Sequence, residues 1–330
     1  MMDKKVSYAE LRLIQLLRYL PLAWVKALAG GLAWLASWLP LAWVSAHRDV
    51  LINMLACFPE RGWRENRRAA RRVLVQTART LASYSHVWLR PEQEVLARVR
   101  TIHGYDEACA AMRSERPVVI LSLHQSAWEV PVLVIGQITP AIIMYQPAEG
   151  SALDAAVKTA RERTGCQLVP ADTRGVRVAM NALAHGGTFG ILADHQPGGR
   201  SNPSADFFGH PVLVPGFVAK VIKRFQPEVF YTFASYHEND SYYDVHFERA
   251  PAEMLAADEQ AILEMMMQGL ENIIRRRPDE YNWTYNRFRR GADYRRNWYR
   301  RKQAMEMIRR IRAGEDHANV FPVSEQVSKR

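Results

Sequence analysis

From Pro117 onward, short apolar or β-branched runs alternate with helical stretches. That alternation restricts the chain to an α/β architecture built on a mostly parallel central sheet flanked by helices. The predicted strands cover residues 118–123, 141–145, 189–193, 212–214 and 229–233, and the predicted helices among them cover 153–163, 174–183 and 217–225. Upstream, residues 63–89 read as one long helix whose apolar stripe, with Val73, Leu74, Leu81 and Val87, is interrupted by arginines. Beyond Pro251 the pattern is helical again and ends in a basic helix near 294–311. No internal repeat and no Pro/Gly/Ser-rich linker divides the chain. The expected organisation is a hydrophobic helical segment over residues 1–62, one α/β domain over 63–313 and a polar tail over 314–330.

The amino-terminal segment raises the question of a membrane. Residues 27–46 contain no charged side chain until the basic helix follows, a length sufficient to cross a hydrocarbon core. Gly30, Gly31, Ser37, Pro40 and the many alanines disfavour spanning. Basic residues stand on both sides, Lys4, Lys5, Arg12, Arg18 and Lys26 before it and Arg48, Arg61, Arg64, Arg67, Arg68, Arg71 and Arg72 after it, so no outer end is marked. Trp24, Trp34, Trp38 and Trp43 supply rings that prefer the headgroup level. The segment therefore reads as a surface-lying or shallowly re-entrant membrane anchor, with a helical hairpin buried against the domain as the alternative. It lacks the small-residue cleavage site of a signal peptide. A net charge of +10, from 44 Lys+Arg against 34 Asp+Glu, favours anionic partners. Cys57, Cys109 and Cys166 are odd in number and form no C-x-x-C, which points to reduced thiols facing the cytosol.

The most informative stretch is Pro117-Val-Val-Ile-Leu-Ser-Leu-His124-Gln-Ser-Ala-Trp-Glu129. His124 falls where a buried strand ends, the usual ligand-binding position in open α/β sheets, and Glu129 follows five residues later at the start of a helix. An imidazole there can take a proton from a hydroxyl near neutral pH, and a carboxylate on its other nitrogen would fix the tautomer. With no Ser or Cys nucleophile beside it, the pair suits transfer to a substrate hydroxyl. The sequence contains no P-loop, no G-x-S-x-G elbow and no G-x-G-x-x-G, which disfavours nucleotide hydrolysis, serine hydrolysis and hydride transfer. His185, His195 and His210 match no common metal-ligand spacing.

The spacing His124-x-x-x-x-Glu129 after a hydrophobic strand resembles the H-x-x-x-x-[DE] motif of glycerolipid-type acyltransferases. His-Gln-Ser-Ala-Trp-Glu is most similar to the His-Phe-Gly-Asn-Trp-Glu form of the lipid A biosynthesis acyltransferases, with Gln125-Ser126 where an aromatic and Gly are usual. Arg161-Glu-Arg163-Thr-Gly resembles that family's Gly-Arg-x-Arg-x-Asn block, with Ala160 at the Gly position. Asp194-His-Gln-Pro-Gly198 followed by Phe207-Phe208-Gly209-x-Pro211 resembles its Asp-x-x-x-Gly…Phe-Phe-Gly-x-Pro stretch. Pro278-Asp-Glu-Tyr281-Asn-Trp283-Thr-Tyr-Asn-Arg287-Phe288 resembles its Pro-Glu-Gln-Tyr-x-Trp-x-His-x-Arg-Phe signature, with Tyr285 where His is common.

The resemblance implies a glycerolipid acyltransferase-like catalytic domain that moves a fatty acyl chain from an acyl carrier protein thioester to a hydroxyl of a lipid A precursor. It implies work at the cytoplasmic face of the bacterial inner membrane, on membrane lipid, with no cofactor, metal or nucleic acid. His124 is the expected general base and Glu129 the group that orients it. Arg161 and Arg163 are expected at the oxyanion or at substrate phosphate, and Asp194 is expected to hold the site together. Lys220, Lys223, Arg224 and Arg200 are expected at the surface, and Arg275–Arg277 with Arg287, Arg289 and Arg290 at lipid headgroups. Met265–Met267 would be helix core or a wall for an acyl chain. The readings left open are acylation of another glycolipid or lysophospholipid, and a basic membrane- or RNA-binding protein without chemistry.

Overall fold

The sheet forms from the runs that the alternation marks and from others that it does not. In the computed structural model, which describes residues 8–41, 43–147, 152–198, 202–237, 241–289 and 298–321, nine strands are present. They are β1 (Val99–His103), β2 (Val118–Ser122), β3 (Ala141–Tyr145), β4 (Gln167–Pro170), β5 (Thr188–Leu192), β6 (Ser204–Phe207), β7 (His210–Leu213), β8 (Glu228–Tyr236) and β9 (Tyr243–Arg249). Seven of them make one sheet in the order β1-β9-β8-β2-β5-β3-β4. From β8 to β4 every neighbouring pair is parallel, while β9 runs antiparallel to β8 and parallel to β1.

The run at 212–214 is strand, but it lies in a separate hairpin of β6 and β7, not in the main sheet. A short apolar run does not say which sheet it joins. The hairpin turns on Phe208 and Gly209, both with positive φ, 53° and 76°, as a two-residue turn that follows the strand twist requires.

Before β1 come helices α1 (Tyr8–Leu17), α2 (Leu22–Ala36), α3 (Ser45–Cys57), α4 (Trp63–Leu89) and α5 (Glu92–Leu96). Then follow α6 (Tyr105–Met112), α7 (Val130–Ile138), α8 (Ala152–Glu162), α9 (Thr173–Ala184), α10 (Phe217–Phe225), α11 (Glu253–Ala256), α12 (Glu259–Arg276), α13 (Arg301–Arg312) and α14 (His317–Val320). Alternate strand residues bury to opposite faces. Ile120 and Val118 of β2 join the layer of α7, whereas Val119 and Leu121 join the layer of α3, α9, α10 and α12.

The domain limits move at both ends. Residues 45–57, expected in the hydrophobic anchor, are core: Val50, Leu51, Ile52, Met54 and Leu55 of α3 are fully buried. The charge-free window breaks between α2 and α3, and among the described residues no helix is long and apolar enough to cross a membrane. Helix α2 buries only a narrow face, Leu22, Val25, Lys26 and Gly30, where Gly30 lets the Arg79 stem of α4 approach. Its other face leaves Trp24, Leu28, Leu32, Trp34 and Leu35 exposed. The expected polar tail also begins later, because Val320 and Phe321 are buried, the latter against the Trp298 ring. The basic helix starts at Arg301; residues 290–297 and 322–330, and with them Arg290, lie outside the described residues, as do Met1 to Ser7 and Arg200.

Candidate active site

The chain runs from β2 over β5 to β3, and from β5 back across β2 to β8, so β2 and β5 flank the switch point of the sheet, where ligands bind in open α/β folds. Ser122 of β2 is in register with Leu192 of β5, and Ala193 N–H still donates to Ser122 O. Two residues further along each strand stand His124 and Asp194. Register alone therefore sets them side by side.

The contact is close. His124 Nδ1 lies 3.0 Å and 3.1 Å from the two Asp194 carboxylate oxygens, and the His124 backbone N–H donates to Asp194 Oδ2 at 2.9 Å. Tyr281 Oη donates to the same oxygen at 2.9 Å. Burial alone would raise the Asp194 pKa, but the adjacent imidazole and these hydrogen bonds hold it down to about 2, so it is a carboxylate. Burial likewise pulls the His124 pKa down, and the Asp194 charge and hydrogen bond outweigh it, leaving the imidazole above its ordinary value. A carboxylate can only accept, so Nδ1 carries the hydrogen and the neutral ring keeps its lone pair on Nε2. The side chain of His124 is one-fifth exposed, whereas Asp194 is fully covered.

Glu129, expected on the second imidazole nitrogen, is engaged elsewhere. At the head of α7 it accepts from Arg161 Nε at 2.7 Å and Nη2 at 2.5 Å, a bidentate pair in which the Glu129 side chain is 3% exposed. Burial would raise the Glu129 pKa; the guanidinium reverses this and keeps it below the ordinary carboxylate value. The residue 70 positions away in sequence, not the one five away, thus holds the imidazole. Arg161 in turn spends two nitrogens on Glu129.

Arg163 does not reach this site. It donates to the carbonyls of Val87 and Arg90, both at 2.7 Å, at the carboxyl end of α4, where the helix leaves acceptors unpaired.

A narrow cavity with Glu129 and Arg161 in its wall lies along the α7 face of the sheet. Ser122, Leu192, Thr232, Ile120, Gly190 and Ile143 form its sheet side, and Trp128, Pro131, Val132 and Ile135 its helical side. Trp128 meets the His124 ring edge-on, centroids 5.2 Å apart, and so borders both cavity and imidazole.

A strap formed by residues 277–288 closes the other side. Gln125 Nε2 donates to Arg277 O, Ser126 N–H to Glu280 O and Asn282 N–H to His124 O. Ser126 sits at φ 51°, a left-handed conformation that explains why the resembled motif has Gly there. Tyr281 and Trp283 are buried, Tyr281 against the Trp283 ring and Trp283 against Phe58 and Phe208. The Tyr285 ring lies parallel to those of His124 and His195, centroids 6.1 Å from each. Tyr281 and Tyr285 were legible only as members of a motif, since nothing local in the sequence ties them to residues 124 or 194.

The expectation of a lipid-facing arginine cluster fails for Arg287, which is 1% exposed and donates to Leu213 O. Arg275, Arg276 and Arg277 pair with Glu271, Glu248 and Glu280. Met266 and Met267 are fully buried in the core. Cys57, Cys109 and Cys166 are buried and unbridged.

The sequence profile of the family described as bacterial lipid A biosynthesis acyltransferase matches residues 3–290. Among curated relatives, the lipid A biosynthesis myristoyltransferase of Escherichia coli (strain K12) is 22% identical over 240 residues, covering 72% of this chain and 74% of that protein. The lipid A biosynthesis acyltransferase 1 of Shigella flexneri has the same identity and coverage. The match takes in His124, Asp194 and the strap that closes on them, and with it the protein belongs to the bacterial lipid A biosynthesis acyltransferases and is an acyltransferase enzyme.

Proposed function

We propose that the protein transfers an acyl group from an acyl carrier protein thioester to a hydroxyl of a lipid A precursor, with His124 as general base and Asp194 as the group that orients it. The observation that carries this reading is the Asp194 carboxylate on His124 Nδ1, which leaves the Nε2 lone pair free to act. In this mechanism Nε2 takes the acceptor hydroxyl proton while the oxygen attacks the thioester carbonyl. The imidazolium that forms is stabilised by the ionised Asp194. The tetrahedral intermediate then expels the thiolate, the C–S bond breaks, and the thiolate takes the proton from Nε2. The products are an ester and a free thiol, and His124 returns to its starting state.

Glu129 and Arg161 act through structure in this reading: their ion pair ties the head of α7 to α8 and forms part of the cavity wall. The mostly apolar lining of the cavity suits the acyl chain of the donor. Charge favours both reactants, since acyl carrier protein and a phosphorylated glycolipid are acidic and this chain carries +10. Trp24, Leu28, Leu32, Trp34, Leu35, Trp38, Leu39 and Trp43 make an exposed apolar surface beside the arginines of α4, with Arg71 stacked on the Trp38 ring. That combination supports attachment in the interface of an anionic leaflet, the cytoplasmic face of the bacterial inner membrane, without spanning it.

The test is incubation of the purified protein with acyl carrier protein thioesters and under-acylated lipid A precursors, followed by mass analysis. The expected product is the precursor carrying one further acyl group. Acylation of a lysophospholipid but not of the precursor would replace the proposed acceptor.

A further inference from the structure

The cavity beneath the candidate site owes its depth to one missing side chain. Strand register aligns Phe230, Ile120, Gly190 and Ile143 across β8, β2, β5 and β3. Three of these, Ile120, Gly190 and Ile143, line the cavity. Gly190 is the member of that row without a side chain, and it lies between the two isoleucines. The next row toward His124 and Asp194, Thr232, Ser122 and Leu192, also lines the cavity; the next row away from them, Val118, Thr188 and Ala141, is buried and does not. The cavity therefore ends at the level of Gly190.

The glycine is not needed by the backbone. Gly190 is in extended strand conformation and has no positive φ. A β-carbon added to it would meet Ile143 Cδ1 at 2.8 Å and Ile120 Cβ at 3.7 Å. The first contact is with the free end of a flexible side chain that itself lines the cavity. The added methyl and the displaced Ile143 end would both take up space at the floor.

We propose that Gly190, with Ile143 beside it, sets how far an acyl chain can enter and so determines the chain length that the enzyme accepts. This rests on the acyl-donor reading of the cavity. A site of this kind discriminates by excluding methylenes: one methylene too many in a fitted apolar pocket lowers specificity about 10–200-fold. The floor lies four residues back along β2 and β5 from His124 and Asp194, so filling it removes room for the chain end and leaves both side chains untouched.

The experiment supplies the purified protein with a mixture of decanoyl, lauroyl, myristoyl and palmitoyl carrier protein thioesters and reads the chain-length distribution of the acylated product. Gly190→Ala is expected to move the preference toward shorter chains, with kcat/KM for the longest chain used by the parent falling about tenfold or more relative to the next shorter one. Ile143→Ala, which opens the same floor, is expected to move it toward longer chains, and it keeps the test decisive should Gly190→Ala fold poorly. If the parent transfers acyl groups and both variants keep its chain-length profile, the proposal is overturned while the acyl-donor reading stands. If the parent accepts none of the thioesters, the acyl-donor reading fails and takes the proposal with it.

Discussion

At the residue scale the account turns on which carboxylate serves the imidazole. Asp194→Asn keeps the shape but replaces the acceptor that fixes the Nδ1 hydrogen and removes the negative charge that raises the His124 pKa. The base must be neutral to act, so the parent's rate should rise with pH through a pKa above the ordinary imidazole value of about 6.5. In Asp194→Asn that rise should move to lower pH, because burial is then left to lower the His124 pKa, and the plateau should fall. A pH profile of kcat/KM reads both effects; an unmoved rise would detach Asp194 from His124. Glu129→Ala should behave differently. It leaves the partly buried Arg161 without its partner, at a cost of up to about 3 kcal/mol, which urea denaturation would register as a lower midpoint. Acid should weaken the fold through the same groups. Glu129 and Asp194 have folded-state pKa values below their unfolded ones, so their contribution is present above about pH 4 and is lost as pH falls toward the folded values.

At the scale of elements, α2 and α3 part company. Leu51→Ala or Leu55→Ala in α3 should cost about 2–5 kcal/mol, the penalty of a core truncation, whereas serine at Trp24, Trp34 and Trp38 should leave the denaturation midpoint nearly unchanged and weaken sedimentation with anionic vesicles. Equal vesicle binding by the triple variant would remove that surface from membrane attachment. Helices α4 and α10 and strands β2, β3 and β8 were legible because their hydrophobic periods are long or their flanks carry clear breakers. Helix α7, Val-Pro-Val-Leu-Val-Ile-Gly-Gln-Ile, was expected from its start after Glu129, but a run this apolar does not declare its period or where it ends. Strand β9 alternates, but its charged and aromatic residues hid it, and its antiparallel place beside β8 follows from topology. The boundary at residue 62 was misplaced because apolar content is shared by the exposed face of α2 and by α3, which packs into the core. The His124–Asp194 pair was out of reach for a related reason: each residue was visible, but their adjacency depends on the register of β2 against β5, which pairing across the folded sheet decides.

For the whole molecule, the parallel sheet, its switch point and the strap over residues 277–288 act together to hold one partly exposed imidazole against Trp128, which also lines the apolar cavity. A net charge of +10 adds, in the proposed function, a long-range attraction toward acidic reactants and an anionic leaflet. Vesicle binding should accordingly weaken as salt is raised from low to physiological strength and beyond, where the Debye length shrinks to about 8 Å and less; salt-independent binding would leave only the apolar face to account for it. The most direct measurement of the central claim is the rate of acyl transfer to a lipid A precursor by the parent and by His124→Ala, compared under single-turnover conditions with matched folding checked by circular dichroism. The account predicts a loss of about 10²–10⁴-fold or more in the variant, and transfer at the parent's rate by folded His124→Ala would contradict it.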